Sequence, residues 1–92
     1  MRSNKINSVI AGDYAGKNIL FDGIQLFISG AMFTKTQLNK QTVSSYSVMN
    51  IENGGMLRRT TAYTVSISFL DGKSSLVYLD GNFYNCLMKN MF

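Results

Sequence analysis

The stretch that most limits how this chain can fold is Ala62 to Phe92, where a two-residue period gives way to a helical one. Tyr63, Val65, Ile67 and Phe69 alternate with Thr64, Ser66 and Ser68, the pattern of a strand with one face in a core and one in water. Asp71-Gly72 follows, a dipeptide suited to the positive φ angles of a type I′ hairpin turn. A tight turn there sets Leu70 opposite Lys73, Ile67 opposite Leu76 and Val65 opposite Tyr78, with Ser66, Ser68 and Ser75 on the other face. Beyond the second strand, Asp80 offers a side-chain oxygen to cap a helix. Phe83, Tyr84, Leu87, Met88 and Met91 then recur at three- and four-residue spacing, while Asn82, Asn85, Lys89 and Asn90 take much of the opposite side. Lys89, near the C-terminal end, suits the helix dipole. A helix this short needs a sheet to lie on.

The earlier part of the chain reads as more strands. Asn7–Ala11 is a first strand, Gly12 to Gly16 a glycine-flanked turn, and Lys17–Phe21 a second strand. Asp22-Gly23 repeats the hairpin signal and pairs Phe21 with Ile24 and Ile19 with Leu26. In the third strand Ile24, Leu26 and Ile28 alternate with Gln25, Phe27 and Ser29. Gly30-Ala31 suggests a two-residue turn into a fourth strand, Met32–Leu38. Val43–Glu52 is a fifth strand with poor alternation, since Tyr46, Val48, Met49 and Ile51 do not share a face; a bulge or an edge position explains that. Asn53-Gly54-Gly55 is a third hairpin signal. Proline is absent, so no strand is excluded on that ground.

Composition bounds the function. Ninety-two residues, 46% hydrophobic and 15% charged, make one domain, residues 1–92, with one small core. No apolar run is long enough to span a membrane and no signal-peptide core follows the basic N-terminus, so a cytoplasmic site is the expectation. The single cysteine, Cys86, fits a reducing compartment. The chain has no histidine, which removes the commonest general base and a favoured metal ligand. A net charge of +4 is modest for a dedicated nucleic-acid binder.

The expected fold is mainly β (α+β): seven short antiparallel strands and one C-terminal amphipathic helix. The tail Asp71-Gly72-Lys73-Ser74-Ser75-Leu76, through Leu79-Asp80 to Tyr84, Leu87, Lys89 and Phe92, resembles small bacterial proteins of the pleckstrin-homology (PH)-like group. The opening Gly12-Asp13-Tyr14-Ala15-Gly16-Lys17 is similar to the start of the same group. The resemblance implies a PH-like barrel or orthogonal sandwich and a binding or adaptor role without catalysis. Relatives carry a longer Gly/Ala-rich insertion where this chain has only Asn53-Gly54-Gly55.

No constellation for catalysis stands out, and no enzyme activity, metal or cofactor is expected. Cys86 has no histidine to activate it and reads as a packing residue on the terminal helix. Asp13, Asp22, Asp71 and Asp80 each sit at a turn or cap, which explains them without a carboxylate pair. Glu52 has no evident partner. The binding candidates are Lys35, Lys40, Tyr46, Val48, Met49, Arg58 and Arg59. Val43 to Ile51 is the element most open to a protein partner by strand addition, or to a second copy of the chain, and the groove beside the terminal helix is the other expected docking place. Lys35, Lys40, Arg58 and Arg59, with Phe33 and Tyr46 interleaved, offer the alternative of a basic surface for nucleic acid or an anionic membrane. Against that, charges on strand edges also guard against aggregation, and adjacent Arg58 and Arg59 point to opposite faces. A small inhibitor of a macromolecular partner has the same signature.

Overall fold

A computed structural model gives the architecture and describes residues 6–30, 35–53 and 61–91. The described residues form strands β1 (Ser8–Gly12), β2 (Ile19–Phe21), β3 (Leu26–Ser29), β4 (Lys35–Leu38), β5 (Val43–Asn53), β6 (Thr61–Phe69) and β7 (Ser74–Asp80), then helix α1 (Gly81–Met91). They make two antiparallel sheets, ordered β1-β7-β6-β5 and β2-β3-β4. A bridge between Ser8 and Asn18, with Ile19 N–H donating to the Asn7 carbonyl, links the sheets through β1. On the far side β4 and β5 are both outer strands, so the described residues do not close a barrel.

Strand number, antiparallel pairing and terminal helix agree with the sequence reading, but turn details differ. Phe69 N–H donates to the Lys73 carbonyl, and the β6–β7 register pairs Val65 with Val77 and Ile67 with Ser75. The connection is therefore a three-residue loop, Leu70-Asp71-Gly72, closed by Gly72 at φ 92°, rather than the two-residue turn expected at Asp71-Gly72. One residue of slip reverses the faces of the second strand. Ser75, Val77 and Leu79 enter the core, while Leu76 and Tyr78 lie half-buried on the outside. The β2–β3 hairpin is also shifted. Ile19 faces Ile28 and Phe21 faces Leu26, not Leu26 and Ile24 as expected. Because this slip is two residues, Ile19, Leu26 and Ile28 keep the inner face, while Ile24 passes into the turn and is exposed along with Phe21. Phe27, expected on the polar side of β3, is buried there beneath the Lys35 ammonium, 4.6 Å from its ring centre.

Strand bounds shift too. β1 begins at Ser8 because Asn7 is in the left-handed region at φ 58°, and β2 begins at Ile19 rather than Lys17. The β3–β4 register sets Ser29 opposite Lys35, which leaves a longer connection than a two-residue Gly30-Ala31 turn. Ala31, Met32, Phe33 and the start expected for β4 lie outside the described residues, as do Gly54, Gly55 and Met56.

The core is the space between the two sheets and the helix. Val9, Ile19, Leu26, Ile28, Leu38, Val43, Val65, Ile67, Phe69, Val77, Leu79 and Leu87 form one buried cluster. Leu87 is the helix's buried anchor, and Phe83, Tyr84, Met88 and Met91 pack against the same cluster, as the periodic stripe predicts. Burying a side chain of that size favours folding by about 1.5–3 kcal/mol, which tethers a helix too short to persist alone. Asp80 caps it, its Oδ1 accepting from Phe83 N–H at 2.8 Å. Asn7 holds that cap in turn, accepting from Asp80 N–H at 3.0 Å and donating to Asp80 Oδ2 at 3.1 Å. Tyr84 stacks on Tyr63 with ring centres 3.9 Å apart and planes 3° from parallel. At the other end Lys40 N–H satisfies the Asn90 carbonyl.

Candidate functional site

β5 is the outer strand of the four-stranded sheet, and its poor alternation has a structural cause. Its register with β6 shifts twice, between Val43 and Ser45 and between Val48 and Asn50. Both anticipated explanations hold, a bulge and an edge. Between the bulges Tyr46 faces Ile67 and Val48 faces Val65, so these two side chains point coreward and are half-buried. The second bulge inserts Met49 as an unpaired residue. Beyond it Ile51 faces Tyr63, back on the helix side. The bulge thus restores the inward face that unbroken alternation would have lost. Met49 and Ile51 remain 61% and 55% exposed.

The backbone of this edge is equally specific. The Phe69–Lys73 bond sets the alternation in β6, so Ser66, Ser68 and Thr64 bond to β5 through Ser47, Ser45 and Asn50. The peptide groups of Val48 and Ile51 therefore turn toward the open edge. Ser44 Oγ donates to the Ser68 carbonyl at 3.1 Å and pins the first bulge. At that end a cavity of about 430 Å³ lies between strand and helix, lined by Lys40, Val43, Ser44, Ser45, Tyr46 and Met91.

The predicted residues do not form one site. Lys40 and Tyr46 share that groove, with Val48 and Met49 along the strand beyond it. Lys35 sits elsewhere, at the start of β4, on a separate cleft of about 450 Å³ with Tyr14, Gln37, Gln41, Phe69 and Asp71. Arg58 and Arg59 lie outside the described residues. The two described lysines of the expected basic surface thus line different clefts, and one of those clefts also carries a carboxylate. Ile51 lies on this strand and Met91 lines its groove; the sequence placed Ile51 at the end of the candidate strand and Met91 in the helical stripe without naming either as a binding residue. The face of Ile51 depends on the bulge at Met49, which no alternation rule reveals.

The aspartates accept backbone amides, at their own turns or, for Asp13, across to β7. Asp13 Oδ2 accepts from Ser74 N–H, Asp22 Oδ1 from Ile24 and Gln25 N–H, and Asp71 Oδ1 from Lys73 N–H. Glu52 gains a partner the sequence did not disclose: Tyr78 Oη donates to its Oε1 at 2.8 Å across the outer face. Cys86 is half-buried on the helix, and burial pushes its thiol pKa up despite nearby Lys89. Among the described residues no cluster of histidine, cysteine, aspartate or glutamate suits a metal ion, and no helix is long and apolar enough to cross a membrane.

No protein-family model, curated protein or solved structure matches this chain.

Proposed function

We propose that this chain is a non-enzymatic binding module that takes up an extended segment of a protein partner along β5. The observation that carries the reading is an outer strand whose peptide groups at Val48 and Ile51 face outward beside exposed Met49 and Ile51. Strand addition uses such groups for affinity and alternate side chains for specificity. The fitting segment has apolar residues at alternate positions and an acidic residue at the end that meets Lys40. Its apolar side chains enter the groove between β5 and α1. The PH-like plan supports the same reading. The sheet β5-β6-β7-β1 meets the sheet β2-β3-β4 at the Ser8–Asn18 bridge, and α1 packs against β6, β7 and β3. We place the module in the cytoplasm, with its one cysteine reduced.

The test is selection of random-sequence peptides from a display library on immobilised protein, followed by fluorescence polarisation. Selected peptides are expected to share alternating apolar positions and to bind with little salt dependence, because an apolar contact is weakly screened. Ile51→Lys, at an exposed position, should weaken binding about tenfold or more and leave the melting temperature nearly unchanged. Peptides that bind this variant as tightly as the parent defeat the proposal. So does affinity that collapses between low and physiological salt, the behaviour of a polyanion-binding surface.

A further inference from the structure

The open edge of β5 has a spacing that narrows what can pair with it. Ser45, Ser47, Asn50 and Glu52 bond inward to β6. The edge-facing peptide groups of Val48 and Ile51 therefore stand three residues apart, with the unpaired Met49 between them. A regular strand presents its bonding groups every second residue, so it meets both positions only by carrying an extra residue at the same place. A second copy of β5 carries that residue by construction. Set antiparallel across a two-fold axis, Val48 of each copy meets Ile51 of the other, and both edge-facing groups are used on both strands. Setting Val48 against Val48, or Ile51 against Ile51, uses only one group per copy. Side-chain faces agree with the mixed register. Val48 faces Val65 and Ile51 faces Tyr63, both on the inner side, and directly opposed residues share a face. One step further Ser47 meets Glu52, which lies on the outer side where Tyr78 Oη donates to it. The strand is eleven residues long, has no proline and carries a single charge, Glu52, so it lacks the lysines and prolines that keep exposed edges apart. In this register Glu52 is not set against its own copy, and no like charges are opposed.

We propose that β5 pairs with β5 of a second copy in this register, joining two four-stranded sheets into one of eight strands. A bulge ordinarily blunts an edge because an incoming strand lacks it; here it selects for the copy. The inference rests on the open edge of the docking reading and adds a control to it. The dimer covers the same peptide groups that a partner segment takes, so docking requires dissociation. Dilution frees the edge and concentration closes it.

The experiment is sedimentation equilibrium over a range of loading concentrations, where the parent's mass should rise from that of one chain toward that of two. Ile51→Pro deletes an edge donor without breaking a bond to β6, and edge strands accept proline. Because the pairing is two-fold the loss counts twice, and the dimer should weaken about tenfold or more. A second readout does not depend on the proline variant folding. In a Cys86→Ser background, Met49→Cys should form a disulfide-linked dimer on mild oxidation, since residues one step from the axis stand about 6 Å apart. Ser47→Cys, about 15 Å from its own copy, should not. A parent that stays monomeric at every concentration overturns the proposal. So does a dimer that folded Ile51→Pro leaves intact, or one that gives no Met49→Cys cross-link. Peptides that bind a parent with no dimer leave the docking reading in place and remove only this inference; a β5 dimer whose dissociated chains take no peptide does the reverse.

Discussion

The β2–β3 and β6–β7 hairpins carry the same Asp-Gly signal, and neither builds the turn that signal suggests. In β2–β3 the register sets Asp22 opposite Gln25, with Asp22 N–H donating to the Gln25 carbonyl, so Gly23 and Ile24 are the central pair. In β6–β7 the loop has three residues and ends on Gly72. The aspartates act alike: each offers its side-chain oxygen to amides two or three residues on, and glycine alone takes the positive φ. The slips are two residues and one residue. Even slips preserve which side chains face the core; odd slips exchange them. The same misplaced turn is therefore harmless in one hairpin and reverses a strand in the other.

The largest effect should separate two glycines near the start of β7, one in the β6–β7 loop and one at the end of β1. Gly12 and Gly72 both have positive φ, at 96° and 92°. A Cβ on Gly12 would stand 2.5 Å from the Ser74 carbonyl oxygen and 2.6 Å from Ser75 Cα, whereas one on Gly72 meets open space. The Gly12 clash is with backbone that Asp13 holds from both sides, its N–H donating to the Ser74 carbonyl and its carboxylate accepting from Ser74 N–H. Gly12→Ala should cost roughly 3 kcal/mol or more, and Gly72→Ala about 1 kcal/mol, both read from urea unfolding. Equal losses would mean that β1 can move away from β7.

The odd register itself is tested next. Val77 is fully buried and Leu76 half-buried on the outside. Val77→Ala should cost about 2 kcal/mol and Leu76→Ala less than about 1 kcal/mol. A tight Asp71-Gly72 turn requires the reverse ranking, so these two variants measure the register directly.

What was legible in the sequence follows the same physical division. Alternation in Tyr63–Phe69 and the helical stripe from Phe83 to Met91 report on burial within one element, and both appear as read. Asp80 is legible because an N-cap needs only the three residues after it. Turn length is not, because Leu70 N–H finds its acceptor at Thr42, far away in the chain. Asn7 escaped notice for the same reason: its role depends on Asp80, which is 73 residues distant. Along β5, irregular alternation marked Tyr46, Val48, Met49 and Ile51. That Met49 is the unpaired residue, and so returns Ile51 to the helix side, became visible only with the register. Lys35 and Lys40 looked like one basic surface because sequence distance says nothing about which cleft each lines.

A smaller effect should come from shortening the odd loop. Removing Leu70 leaves Asp71-Gly72 between Phe69 and Lys73, the two-residue hairpin link, while keeping that pair opposed. The change discards an exposed leucine and the bond from Leu70 N–H to the Thr42 carbonyl. Stability should change by about 1 kcal/mol or less, and the Phe69 amide should stay protected in hydrogen exchange. Loss of that protection would show that the three-residue loop, and not the core, sets the register.

The smallest effect belongs to the even hairpin and is best seen through pH. Donation by the Gln25 and Ile24 amides lowers the Asp22 carboxylate below its ordinary value of 3.8, with Lys35 adding in the same direction. Since the native state holds the ionised form more firmly, the stabilisation is fully present above the ordinary carboxylate pKa. It is lost as pH falls through the lower native value. Asp22→Asn keeps an oxygen acceptor without the charge, so it should shift the urea midpoint only slightly at neutral pH and remove part of the midpoint's fall below about pH 4. The side chain is fully exposed, and added salt should reduce the Lys35 contribution before it disturbs the amide bonds. An acid profile unchanged by Asp22→Asn would mean that the Asp22 side chain does not hold the β2–β3 turn. Gly23 at φ 100° would then be sufficient to hold the even register.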